Sequence, residues 1–190
     1  IVKMLGKRLH YKAMVEGLRR IWKPAGFMDV WDIDNGFFMV KFDREEDRQR
    51  ALFGGPWLLY DHCIAVRQWQ PDFFSSEATI DKTRVWIRFP GLNLAFYDES
   101  VLMCLASTVG TPIKVDMNTA TIEKGRYARI CVEIDLSVPV VGVVQVQGHW
   151  QRVEYEGFHL ICGGCGRYGH LKGGCKHKPT MNKTDGEGDT

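Results

Sequence analysis

The chain has 190 residues, of which 45% are hydrophobic, and its formal net charge is only +2. This length and apolar content suffice for one large domain or two small ones with a buried core. No apolar run approaches the length of a membrane span and no signal peptide is recognisable, so composition argues against a membrane partner. We expect an intracellular protein of the nucleus or cytoplasm, with Cys63, Cys104 and Cys131 as buried free thiols in a reducing compartment.

The charges are segregated along the chain. Residues 1–24 carry seven Lys or Arg against one Glu, whereas residues 25–151 carry twelve basic and seventeen acidic groups. Residues 157–184 carry five basic groups and no carboxylate. The sequence therefore predicts two positive surfaces able to hold phosphates. For residues 1–24, a merely solvated helix face is an equally good interpretation.

The N-terminal part predicts the order strand, helix, strand, strand, helix, strand. Helical spacing covers residues 10–22, and Asp34-Asn35-Gly36 predicts a hairpin between two strands. Asp43 and Glu46 form a capping-box pattern at the start of the second helix. The six elements are expected at residues 1–5, 10–22, 27–32, 36–42, 43–53 and 62–69. This βαββαβ order predicts an α+β fold of the ferredoxin-like type, which RNA-recognition motifs share.

The third strand can be compared with the nucleic-acid-binding pattern of RNA-recognition motifs. Residues 35–42 contain its glycine, first aromatic, valine and last aromatic, but lack its basic residue, small residue and central aromatic. Strand alternation places Phe38, Val40 and Phe42 in the core and leaves Phe37, Met39 and Lys41 on the open sheet face as candidate nucleic-acid contacts. The alternative is that Phe37 and Met39 pack against the segment that follows the domain.

The middle of the chain predicts a polar, turn-rich linker followed by a second β-rich block that packs on the first. Its expected strands are 84–89, 113–116, 127–136, 140–147 and 151–155, with a helix at 98–109. Alternation in the third of these strands turns Arg129, Cys131 and Glu133 outward. The block has no nucleotide-binding or catalytic signature, so we expect no small-molecule substrate.

The strongest motif lies near the C-terminus. Cys162, Cys165, His170 and Cys175 have the spacing C-x2-C-x4-H-x4-C, which can close a tetrahedron around one Zn²⁺ ion. This is the zinc knuckle, a module that binds single-stranded nucleic acid. The predicted divisions are an RNA-recognition-motif-like domain at 1–70, a linker at 71–82, the second block at 83–157, the knuckle at 158–178 and a disordered tail at 179–190.

The knuckle offers few groups for reading bases. Arg167, Lys172, Lys176 and Lys178 are candidate phosphate contacts with little sequence preference. Tyr168 is the only aromatic between the ligands, so base stacking would depend on it; the alternative is that it packs against the turn and shields the metal. His159 and His177 flank the ligands outside the spacing and are interpreted as bystanders, although His177 could replace a lost ligand.

Three sequence runs together resemble a plant family. They are Gly54-Gly55-Pro56-Trp57, the run from Val85-Trp86-Ile87-Arg88 through Leu92, and Tyr155-Glu156 leading into the knuckle. The family joins a domain of unknown function to a CCHC knuckle, and it is similar to the gag-like first-open-reading-frame proteins of plant LINE-type retrotransposons. The resemblance implies a component that coats or chaperones element RNA. Retroviral-type knuckles usually place an aromatic directly after the first cysteine, where this chain has Gly163.

The sequence favours a zinc-dependent, non-catalytic binder of single-stranded RNA or DNA, with RNA preferred, acting as a ribonucleoprotein or nucleic-acid chaperone component. The alternative is a protein-interaction or self-assembly module of a domesticated host factor, including a homo-oligomer. A zinc enzyme is disfavoured because four protein ligands leave no open coordination position for water.

Overall fold

The computed structural model of the chain describes residues 1–116 and 127–177. It shows a mixed α+β protein, rich in β-strands. The strands are β1 (Val2–Met4), β2 (Met28–Asp32), β3 (Phe37–Phe42), β4 (Trp57–Leu59), β5 (His62–Val66), β6 (Lys82–Pro90), β7 (Thr111–Val115), β8 (Tyr127–Asp135), β9 (Val143–Val146), β10 (His149–Arg152) and β11 (Glu154–Tyr155). The helices are α1 (Tyr11–Trp22), α2 (Glu45–Phe53) and α3 (Glu99–Ser107), with 3-10 turns at Leu94–Phe96 and Lys172–Gly174. Lys178 and the predicted disordered tail at 179–190 lie outside the described residues.

The first sheet has the order β2-β3-β1-β5-β4, and its neighbouring strands are antiparallel. Asp34, Asn35 and Gly36 all have positive φ and form the turn between β2 and β3, as the Asn-Gly signal predicts. The short strand β4 was not predicted from the sequence. Its Leu59 is buried against α1, where Gly17 lets the helix backbone approach closely.

The helices α1 and α2 cover one face of this sheet. Their core contains Met14, Leu18 and Trp22 from α1. The Trp22 ring lies 5.6 Å from the Phe42 ring and 6.4 Å from the Trp57 ring. Fully burying a large apolar side chain contributes about 1.5–3 kcal/mol, so these aromatic contacts are a main source of stability for this layer.

The start of α2 differs from the predicted capping box. The N-cap is Arg44, which makes no side-chain capping bond. Asp47 is buried instead, and its carboxylate accepts a 2.9 Å hydrogen bond from the Gly26 backbone N–H. A buried carboxylate requires such a partner, so the acid that matters here ties α2 to the loop after α1 rather than capping its own helix.

The second sheet has the order β11-β6-β8-β7, and β9 and β10 form a separate hairpin. The helix α3 begins with an Asp98 cap, whose side chain accepts from the Ser100 and Val101 N–H groups. Cys131 is a buried free thiol, as expected, so the outward direction that strand alternation gives it does not expose it to solvent. The same expectation is wrong for Cys104, which is exposed on α3.

The two sheets share one hydrophobic cluster. It joins Leu5, Cys63 and Ala65 on the outer face of the first sheet to Val85 and Ile87 of β6, and to Leu102 and Ala106 of α3. Burial raises the pKa of the Cys63 thiol to about 12, so this cysteine stays a neutral packing residue. The second block thus packs on the outer face of the first sheet at β5 and the end of β1.

Within the described ranges, none of the helices combines the length and the apolar character needed to cross a membrane.

Candidate metal centre

The first two predicted ligands, Cys162 and Cys165, lie in a compact hairpin-like loop, and His170 and Cys175 follow it. Ile161 and Tyr168 form an isolated antiparallel bridge. Inside it, the Cys162 N–H donates to the Arg167 carbonyl and the Gly166 N–H donates to the Cys162 carbonyl, both at 2.8 Å. Gly166 has φ +71°, a conformation that glycine adopts without a steric cost. This backbone turn brings the first two cysteines onto the same side of the loop.

The structure brings all four predicted ligands together. The Sγ atoms of Cys162, Cys165 and Cys175 and a ring nitrogen of His170 all lie within 4.8 Å of one another. Metal bonds of about 2.0–2.3 Å in a tetrahedron give ligand–ligand edges of about 3.3–3.8 Å. The distance from Cys165 Sγ to His170 Nε2 is 3.3 Å, which fits such an edge. The cluster could hold one metal ion.

Backbone hydrogen bonds favour the ionised form of the Cys162 thiol. The N–H groups of Cys165 and Gly164 point at its Sγ, and these hydrogen bonds lower its pKa to about 6. A thiolate is the form of cysteine that binds metal. The Cys162 and Cys165 side chains are buried, whereas His170 and Cys175 are only half-buried, so the open side of the cluster is that of the last two ligands.

The two flanking histidines differ in position. The His177 ring lies 5.9 Å from the His170 ring, and the His177 carbonyl accepts from the Cys175 thiol at 3.2 Å. His159 instead packs edge-on against His62, with ring centroids 4.7 Å apart, and its Nε2 lies 3.2 Å from an Asp61 carboxylate oxygen. His159 thus joins the knuckle to the first sheet, while His177 lies beside the ligand cluster.

The basic side chains of the knuckle are not equivalent. Lys172 and Lys176 are exposed to solvent. Arg167 is half-buried, and its guanidinium donates to the Ser137 carbonyl. It therefore holds the loop before β9 to the knuckle. Of the predicted phosphate contacts that the structure describes, the two lysines are the accessible ones.

Tyr168 packs against the body of the protein. Its ring lies 4.9 Å from the Phe158 ring, and it borders the cluster shared by the two sheets. Burial raises the pKa of its hydroxyl to about 12. This is the packing role that the sequence left open as the alternative to base stacking.

The three candidate nucleic-acid contacts on the first sheet, Phe37, Met39 and Lys41, differ in their exposure to solvent. Phe37 is fully buried, so the expectation that it lies on an open face is wrong. The Phe73 ring covers it edge-on at a centroid distance of 5.3 Å, and the Lys3 ammonium lies 4.0 Å from its centroid. Met39 is half-buried and Lys41 is exposed, so these two remain on the accessible part of the face.

One accessible aromatic on this face was missed from the sequence. Trp31 pairs with Met39 across β2 and β3 and is 41% exposed. The sequence does contain a signal for this position. Met28 and Val30 alternate with Asp29 and Trp31 in β2, and this alternation places Trp31 on the same face as Met39.

The comparisons with known proteins concern the N-terminal part of the chain. Residues 1–77 match the family described as "Domain of unknown function (DUF4283)", a domain found in plant retrotransposon-related proteins. The match covers the whole first sheet and ends in the segment after it. No curated protein and no solved structure was found to match the chain.

Proposed function

We propose that this protein binds single-stranded nucleic acid, RNA in preference to DNA, through a knuckle ordered by one Zn²⁺ ion. The observation that carries the proposal is the cluster of three cysteines and one histidine within 4.8 Å, in a segment without carboxylates. Three thiolates and one imidazole in a tetrahedron are typical of structural zinc. Zinc would supply folding free energy to a loop too short to form a core of its own.

The fold and the family match support this proposal in different ways. Strands β2, β3, β1 and β5 form an antiparallel sheet with two helices on one face, which is compatible with an RNA-recognition-motif-like arrangement. The DUF4283 match relates residues 1–77 to plant retrotransposon-related proteins. A gag-like role in a ribonucleoprotein particle, as coat or chaperone, follows from combining that relation with the knuckle.

The mode of binding that we propose is mainly electrostatic. Lys172 and Lys176 are exposed and would contact phosphates, which carry no sequence information. Tyr168 is packed on Phe158, and Gly163 stands where a stacking aromatic would help to read a base. Binding should therefore depend weakly on sequence and strongly on salt. The proposal contains no catalytic step, because four protein ligands leave no open metal position.

The experiment is a salt-titrated affinity measurement on single-stranded RNA with three proteins. Wild type and Cys104→Ser, which removes an exposed cysteine outside the cluster, should bind alike, with log affinity falling linearly with log salt. Cys165→Ser should bind at least tenfold more weakly and contain less than one metal ion per chain. Equal binding by all three proteins, or binding insensitive to salt, would contradict the proposal.

A second candidate function is protein interaction or self-assembly. The hairpin of β9 and β10 exposes Trp150 and Val143, which are 67% and 50% accessible. The strand register places both side chains on one face of the hairpin, and tryptophan is enriched at protein interfaces. Sedimentation velocity separates the two functions: oligomers of wild type that Trp150→Ser converts to monomers, without detectable RNA affinity, would favour the second.

A further inference from the structure

The two positive segments of the chain, more than 130 residues apart in sequence, meet in the structure. A Cβ added to Gly6 would lie 3.5 Å from Tyr168 Oη and 3.6 Å from the Leu160 side chain. The loop between β1 and α1 therefore lies against the knuckle. Lys7 and Arg8 follow Gly6 directly, and both are exposed.

A second set of contacts holds the same arrangement. His62 Nδ1 lies 3.0 Å from the Leu5 carbonyl oxygen, and the His62 ring packs against His159 at 4.7 Å. The Cys63 N–H also donates to the Gly157 carbonyl at 3.1 Å. The segment that enters the knuckle is thus fixed to the end of the first sheet from which the β1–α1 loop begins.

The exposed face of α1 continues the positive surface away from that loop. Lys12 and Arg19 are exposed and seven residues apart, a spacing that places them along one stripe of the helix. The exposed Lys23 caps the C-terminal end of α1, and with Lys12 and Arg19 it forms the α1 stripe. Arg20 lies beside the stripe, 5.1 Å from the centroid of the Tyr60 ring, which is 46% exposed. The stripe contains one carboxylate, Glu16.

The charges of this surface are not neutralised within the protein. Among the described residues, no carboxylate lies within 4.0 Å of the basic groups of Lys7, Arg8 or the α1 stripe. In α2, by contrast, Arg48 pairs with Glu45 at 2.6 Å and Arg50 with Asp47 at 3.1 Å. The exposed face of α1 therefore keeps a net positive field despite Glu16, whereas basic groups of α2 are paired within the helix.

We propose that a single strand of nucleic acid binds along one continuous basic track, formed by Lys172 and Lys176 of the knuckle, Lys7 and Arg8 of the loop, Lys12 and Arg19 of α1, and Lys23 at its C-terminal cap. This inference rests on the proposed function and specifies the route that the bound strand takes over the protein surface. The polyanion supplies the counter-charge that the surface lacks, and Tyr60 offers an exposed ring beside the track. The knuckle starts the track, and α1, about 18 Å long, extends it.

The test compares wild type, the track variant Lys7→Gln/Arg8→Gln/Lys12→Gln and the control variant Arg44→Gln/Lys82→Gln/Arg152→Gln. All six side chains are exposed, so each variant loses the same charge with little effect on the fold, which circular dichroism and metal content verify. Affinity is measured against salt for oligouridylates of about 4 and about 16 nucleotides, the range of known single-strand site sizes.

Three lost phosphate contacts should reduce the salt slope of the longer oligomer by about 2, since each contributes about 0.7 on single strands. The track variant should also lose most of the affinity advantage of the longer oligomer, while the control retains both. Equal slopes and equal length dependence in the two variants would overturn the track but leave the knuckle as the binding site. Wild type without any salt-dependent binding would remove the proposed function and the track together.

Discussion

Tyr168 shows how a residue that looks like a base-stacking group in the sequence can be buried by packing against its neighbours in the fold. The sequence places it alone among the metal ligands, where a stacking ring is expected. In the fold its ring contacts Phe158 and its hydroxyl lies next to Gly6. An aromatic that bridges a small loop to a larger core gains burial that an isolated loop cannot provide. Its position therefore explains the docking of the knuckle rather than base recognition.

Glu156 is a nearly buried carboxylate held by two arginines. Its side chain is only 8% exposed and accepts from Arg88 and, through both carboxylate oxygens, from Arg129 at 2.8 and 2.9 Å. Burial alone would raise its pKa, but the hydrogen bonds from Arg129 and Arg88 outweigh it and lower the pKa below the ordinary value of 4.5. Its backbone N–H also donates to the Trp86 carbonyl, so backbone and side chain together fix the residue after β11 to β6 and β8.

We predict that Glu156→Gln lowers the free energy of unfolding at pH 7 by about 2 kcal/mol, less than a fully buried pair because both arginines are partly exposed. A depressed pKa stabilises the fold above the unfolded value and loses this contribution as pH falls through the folded value. The difference between wild type and variant should therefore shrink below about pH 4, as measured by urea unfolding.

The neighbouring Glu154→Gln provides the control for this prediction. Glu154 pairs only loosely with Arg152, at 3.9 Å, and is 44% exposed, so the change should cost less than about 0.5 kcal/mol. A gap between wild type and Glu156→Gln that stays constant down to pH 3 would show that the carboxylate charge is not what stabilises this contact.

At the scale of elements, the segment between β11 and the knuckle depends on a close backbone approach. Gly157 has φ +70°, and a Cβ there would lie 2.6 Å from the Leu58 side chain and 2.8 Å from the Cys63 nitrogen. Both distances are shorter than any ordinary carbon contact. The absence of a side chain at this position lets the knuckle segment hydrogen-bond to β5.

We predict that Gly157→Ala destabilises the protein by about 2–5 kcal/mol, combining left-handed strain of about 1–2 kcal/mol with overpacking of about 1–3 kcal/mol. Gly148 has a similar φ of +84°, but a Cβ there meets nothing within 4 Å. Gly148→Ala should therefore show the strain without the clash. The urea unfolding midpoints of the two variants measure these effects. An equal loss of stability in Gly157→Ala and Gly148→Ala would mean that the close backbone approach at Gly157 adds nothing to the cost of the substitution.

Several elements follow from local sequence alone. The helical spacing that ends in Trp22 and the alternation in β8 both reflect one buried face, so periodicity predicts them directly. The spacing of the four metal ligands is equally local. The errors involve distant partners: Phe73 covers Phe37, and the Gly26 N–H donates to Asp47 in α2, whose start lacks the predicted capping box. Such pairings depend on how the elements pack, which a local pattern does not contain.

At the scale of the whole molecule, the shared hydrophobic cluster explains why distant segments cooperate. It joins Leu5 and Cys63 of the first half to Val85 of the second, and Phe158 extends it to the entrance of the knuckle. Because Phe158 also contacts Tyr168, the metal loop is packed on a body made by both halves. The charge pattern of the sequence identified two basic regions, but their convergence depends on this packing.

The measurement that tests the central claim most directly is a zinc titration of the metal-free protein in which bound metal and RNA affinity are recorded on the same samples. Binding of a single-stranded RNA should rise in proportion to bound zinc and reach its limit at one ion per chain, because the metal orders the loop that carries Lys172 and Lys176. Full RNA affinity in the metal-free protein, or saturation of zinc without a gain in affinity, would contradict the account.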